Sequence, residues 1–75
     1  NMLDEDFLKE FGFRLKLYRM RAKLTQATLG EMIDISEHRI SQIENGKCNV
    51  TLKTVNKIAD ALNIQASKLF LFERE

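Results

Sequence analysis

A chain of 75 residues with 44% hydrophobic and 31% charged side chains and a net charge of +1 has the balance of one small globular domain, with too little charge to advertise a polyanionic partner by total alone. The absence of proline leaves nothing to interrupt helices; Cys48, the only cysteine, has no internal disulfide partner, and with one histidine there is no cluster to hold zinc, so no cofactor is implied. No stretch reaches the length of a membrane span and the N-terminal charge run is acidic where a secretory signal needs bases, so a cytoplasmic chain that does not meet a membrane is expected.

From Phe7 to Tyr18 the apolar residues Leu8, Phe11, Leu15 and Tyr18 recur at steps of three and four, which predicts a first helix from about Glu5 to Lys23. A second stripe, Phe13, Leu17 and Met20, widens the buried face or serves a partner, and the usual width of a buried stripe favours the core. Thr25 is a good N-cap for a second helix running to about Ile33, in which Leu29 and Ile33 face inward. Gly30 sits inside that helix at an intrinsic cost of about 1 kcal/mol, which close approach of another helix would justify.

Asp34 tolerates a left-handed backbone and with Ile35 forms a short connection; Ser36 then caps a third helix, Glu37 to Asn45, that Gly46 ends at positive φ. After a loop over Lys47 to Val50, Thr51 caps a fourth helix with apolar positions Leu52, Val55, Ile58, Ala59 and Leu62, which Asn63 can end by the same left-handed cap. A short fifth helix is expected from about Ala66 to Phe70, and with no linker or repeat the whole of 1–75 reads as a single domain.

Charge is segregated along the chain. Six of the 11 acidic residues lie near the ends, whereas between Phe11 and Phe72 there are 10 Lys/Arg against 5 Asp/Glu, five of the bases falling in Arg14 to Lys23. That local excess is an electrostatic footprint for nucleic acid.

Two short helices joined by a tight turn are a helix-turn-helix in outline. The run Leu24-Thr25-Gln26, Leu29, Ile35-Ser36, Ile40-Ser41 and Ile43-Glu44-Asn45-Gly46-Lys47 closely resembles the Cro and phage-repressor-like helix-turn-helix family, also called the XRE family, and the likeness extends over roughly Phe11 to Leu71. Asp34, Gly30 and Val50 depart from the family's usual glycine, alanine and proline without opposing the fold. The resemblance implies an all-α, compact five-helix domain of the lambda-repressor-like kind whose second and third helices read DNA. It implies a phosphate contact at Gln26, base contacts from the first residues of the third helix, and a partly buried ion pair between Arg19 and Glu44.

Turning about 100° per residue from the inward pair Ile40 and Ile43 places His38, Ser41, Gln42 and Asn45 on the opposite face, with Glu37 and Arg39 on its flanks. The expected base readers are Glu37, His38, Arg39, Ser41 and Gln42: Gln42 for an adenine, Glu37 for a cytosine amine, Arg39 for a guanine or a phosphate. Expected phosphate contacts are Gln26 at the N-terminus of the second helix, with Asn45, Lys47 and Arg21 or Lys23. The alternative for this face is an ordinary solvated helix surface, and each base taken singly can be a solvated charge.

A domain of this size covers few base pairs, so a homodimer on an inverted-repeat operator is expected, with Phe70, Leu71 and Phe72 as a group at its interface. Small members of the family include restriction-modification controllers and antitoxins. The antitoxin alternative neutralises a second protein by contact and binds DNA secondarily. A membrane-surface role for Arg14 to Lys23 conflicts with the core's need for that helix, and no nucleophile, metal spacing or phosphate-cradling loop points to an enzyme.

Overall fold

The computed structural model describes residues 2–72. Its elements are α1 (Asp4–Arg21), α2 (Gln26–Ile33), α3 (Glu37–Glu44), α4 (Leu52–Ala61) and a 3₁₀ turn (Ala66–Phe70), with no strand among the described residues. There are thus four α-helices among the described residues, not five. The last segment is five residues long and has no side-chain N-cap bond, and so short a piece settles into the tighter 3₁₀ turn.

The helix starts follow from their caps. Thr25, Ser36 and Thr51 each accept from the backbone N–H three residues on, at 3.0, 3.1 and 3.2 Å. Three helix ends use left-handed residues: Asp34 (φ 58°), Gly46 (φ 70°) and Asn63 (φ 55°). A fourth, Lys23 (φ 60°), ends α1, where the Leu24 N–H returns to the Arg19 carbonyl at 3.2 Å.

One core joins all five elements. Phe11 and Leu15 of α1 meet Leu29 and Ile33 of α2, Ile40 and Ile43 of α3, Val55, Ile58 and Ala59 of α4, Leu62 just after it, and Leu69 of the 3₁₀ turn. At about 1.5–3 kcal/mol for each large aliphatic side chain fully buried, these contacts hold helices too short to persist alone.

Two apolar expectations fail. Phe13 and Met20 are 57% and 58% exposed, and Leu17 between them is half-buried, so the second stripe of α1 does not widen the core. Phe13 lies about 160° round the helix from Phe11, which is already buried, so one side of α1 cannot bury both. Leu52 is 83% exposed: its angle lies within about 20° of buried Ala59, but as the first residue of α4 it stands at the end of the helix, two turns from that residue.

Close backbone approaches explain two glycines. A Cβ at Gly12 would overlap the carbonyl oxygens of Ile43 and Glu44, so this residue is where α1 meets the end of α3. A Cβ at Gly30 would overlap the Ile35 carbonyl oxygen; what approaches that glycine is the backbone of the turn, not the body of another helix. Gly12→Ala is expected to push α1 from α3 and cost about 2–3 kcal/mol, read as a lower urea midpoint with unchanged slope. An unchanged midpoint would show that the two helices separate freely.

Candidate nucleic-acid interface

α2 ends at Ile33, the chain turns through Asp34, Ile35 and Ser36, and α3 starts at Glu37. The turn is closed by the Ile35 N–H on the Gly30 carbonyl at 2.9 Å, which the left-handed backbone of Asp34 makes possible. α3 is anchored by Ile40 and Ile43, both wholly buried. Its other side carries Glu37, His38, Arg39 and, at the C-cap, Asn45, all exposed; Ser41 and Gln42 are half-buried.

Some of these side chains are already engaged. Arg39 Nη2 donates to the Asn49 carbonyl at 3.2 Å, tying the outer flank of α3 to the loop before α4. Asn45 Nδ2 lies 3.5 Å from the Ser41 hydroxyl, which accepts from it. The Arg39 clasp has no sequence signal, because its acceptor is a backbone carbonyl ten positions away whose placement depends on the loop.

The basic run of α1 does not act as a block. Arg19 is buried, Arg14 is half-buried with its guanidinium 6.0 Å from the Phe13 ring centroid, and Arg21 lies 5.4 Å from that of Tyr18. Lys16, Arg21 and Lys23 remain exposed, as does Lys47 beyond α3.

Arg19 and Glu44 form a two-pronged ion pair, Nε to Oε2 at 2.6 Å and Nη2 to Oε1 at 3.0 Å. The remaining donors tie in the start of α2: Arg19 Nη1 donates to the Leu24 carbonyl at 2.7 Å, and Gln26 Nε2 donates to Glu44 Oε1 at 3.0 Å. A carboxylate only accepts, so it fixes which end of the Gln26 amide faces it. The second N–H and the oxygen of that amide remain for another partner. The Gln26 bond requires α2 and α3 to be placed first and is not readable from spacing.

Two short helices linked by a three-residue turn, with the second held by isoleucines and its polar side outward, define a helix-turn-helix domain. The chain belongs to the HTH_3 helix-turn-helix family, which matches residues 15–69. It is similar to the control protein C.MunI of Mycoplasma sp., 39% identical over 66 residues that make up 87% of this chain and 89% of that protein. It is 38% identical to the immunity repressor protein of Bacillus phage phi105 over 58 residues, 77% of this chain but only 40% of the phage protein. Among solved structures it resembles the restriction-modification controller protein C.AhdI of Aeromonas hydrophila, with a TM-score of 0.81 and 35% identity over 84% of this chain and 96% of that one.

No helix among the described residues is long and apolar enough to cross a membrane, and no group of three or more His, Cys, Asp or Glu among them could hold a metal ion. Cys48 is half-buried against the core.

Removing Arg19 alone strands the Glu44 carboxylate in the interior. Arg19→Ala is expected to cost about 3–5 kcal/mol by denaturant unfolding at neutral pH, more than the paired replacement Arg19→Met with Glu44→Leu. Equal losses from the two would show that the stranded charge is not what destabilises.

Proposed function

We propose that this chain is a transcriptional regulator that binds duplex DNA as a homodimer on an inverted-repeat operator, with α3 in the major groove. The observation that carries the reading is the split of α3 into a wholly buried isoleucine pair and an outward polar side. A helix held from behind in this way can enter a groove without unfolding or repacking, and base edges there offer distinct donor and acceptor patterns.

Glu37, His38 and Arg39 are the exposed readers at the entering end, with Ser41 and Gln42 beside them. Phosphates are assigned to the start of α2, where helix geometry aims backbone N–H groups outward and the Gln26 amide stands alongside, and to Asn45, Lys47, Arg21 and Lys23. The 39% identity with a control protein and the 35% identity with the fold of a restriction-modification controller support a controller-type regulator.

The pairing surface is assigned to the C-terminal aromatic cluster. Phe70 and Leu71 are 37% and 55% exposed, Phe72 is half-buried, and Phe7 joins them with ring centroids 6.2 Å from Phe70 and 5.1 Å from Phe72. Two copies related by a two-fold axis would set their reading helices about one DNA turn, roughly 34 Å, apart.

A duplex selected on the protein from a random-sequence library tests the reading. Affinity should fall steeply with salt, with a log-log slope of about −0.9 per neutralised phosphate. Gln42→Ala should reduce discrimination between sequences, and Lys47→Ala should weaken all sequences alike. Equal loss on every sequence from Gln42→Ala would remove its base-reading role. Leu71→Asp should shift the sedimenting species to monomer and weaken operator binding; an unchanged dimer would move the interface elsewhere.

A further inference from the structure

One oxygen of Glu44 serves two elements. Oε1 accepts from Arg19 Nη2 of α1 and from Gln26 Nε2 of α2, each at 3.0 Å, while Oε2 takes Arg19 Nε at 2.6 Å. The Glu44 side chain is only 2% exposed, whereas Gln26, one hydrogen bond further out, is half-buried at the start of α2. The Gln26 amide nitrogen is thus the point where an enclosed network reaches solvent.

A glutamine free at the first position of a helix populates several rotamers and both amide orientations, and holding one of them on a ligand costs conformational entropy. The bond to Glu44 places that cost in folding instead. A carboxylate has no proton to give, so the amide carbonyl cannot face it; Nε2 is held inward and its second N–H is directed elsewhere. Beside that N–H, helix geometry leaves the Gln26 and Ala27 backbone N–H groups without a carbonyl four residues back, whereas the Thr28 N–H is taken by the Thr25 hydroxyl at 3.0 Å. A phosphate oxygen is an acceptor only, like the carboxylate, so the Gln26 amide nitrogen can stand between two anions with one N–H for each.

We propose that Glu44 is a positioning residue for DNA binding, which holds the Gln26 amide in its phosphate-donating arrangement before the duplex arrives. The inference rests on the reading of the start of α2 as a phosphate site given above, and it gives the ion pair a task that stability alone does not. Arg19 takes part by cancelling the charge of Glu44; without it an uncompensated anion would stand beside the incoming phosphate. The same guanidinium donates through Nη1 to the Leu24 carbonyl at 2.7 Å, so the network is tied to the chain entering α2 as well as to its first side chain.

The test combines side-chain NMR with binding to a duplex selected on the unsubstituted protein. In that protein without DNA, the ¹⁵N order parameter of the Gln26 side-chain amide should exceed about 0.6, and that of exposed Gln65 should lie below it. Binding is then compared in the paired replacement Arg19→Met with Glu44→Leu, which removes cation and anion together and leaves Gln26 no carboxylate to face. Gln26→Ala should weaken binding about tenfold in the unsubstituted protein and less than about threefold in the paired variant, which should keep the same sequence preference. Replacing the phosphates one at a time by methylphosphonates should find a position at which the losses from Gln26→Ala and from the paired replacement both disappear.

A Gln26 amide as mobile as that of Gln65 overturns the proposal without any substitution. Equal losses from Gln26→Ala in the two backgrounds overturn it too, as does a paired variant whose loss is the same whichever phosphate is neutralised, because a network that only stabilises the fold acts on every contact alike. All three outcomes leave the protein a DNA binder. Failure to select any duplex would instead remove that reading, and this inference with it.

Discussion

Eight residues is too short for a helix to persist in water, and both α2 and α3 have that length. Their existence and their direction depend on anchoring from outside, and for α3 that means Ile40 and Ile43 in the core with Glu44 one turn beyond Ile40. The same anchoring decides which side of α3 is left for solvent. Stability and presentation of the polar face are therefore one constraint, and residues far from any ligand control the surface by holding the helix behind it.

The Arg19–Glu44 pair shows why an expensive interaction is kept at that anchor. Burying two charges costs several kcal/mol per ion, and an apolar pair of similar volume would often hold the helices as well. An apolar pair offers no direction, however. Here one carboxylate accepts from an arginine of α1 and from Gln26 at the start of α2, while the same arginine reaches the Leu24 carbonyl just before the Thr25 cap. Three helices are set in register by hydrogen bonds whose geometry tolerates little displacement. The close approach of α1 at Gly12 to the last carbonyls of α3 fixes the distance over which that register is held.

Most of the fold was legible because it rests on local chemistry. Threonine and serine caps, the left-handed Asp34, Asn63 and Gly46, and the helical spacing of Leu29 with Ile33 or Ile40 with Ile43 are properties of neighbouring residues. The misses share a cause, which is that they depend on what lies opposite. A lysine has no preference for positive φ, yet Lys23 adopts it because Leu24 must return its N–H to Arg19 and lower its side chain toward the core. Gly12 reads as a weak point of a helix until the α3 carbonyls are placed against it. Phe13 and Met20 have the residue types and spacing of core positions, and only the prior claim of Phe11 and Leu15 leaves them outside. In the candidate interface the polar face of α3 was readable from its period. The clasp of Arg39 on Asn49 and the bond of Gln26 to Glu44 were not, since each joins segments that meet only after folding.

The distribution of charge in α2 adds a last step. A helix is most stable with acids in its first turn and bases in its last, and α2 has neither; its acid, Glu31, lies in the second half and Asp34 caps the C-terminus. That arrangement sacrifices a few tenths of a kcal/mol to about 1 kcal/mol for each misplaced charge. It leaves the start of α2 without an internal anion except the Glu44 carboxylate, which Arg19 neutralises from behind. An external phosphate approaching Gln26 would then meet outward N–H groups and an oriented amide without net repulsion. On the proposed reading, a chain with a net charge of only +1 would hold a polyanion on those terms, through the local arrangement of dipoles and paired charges and not the sum over the sequence.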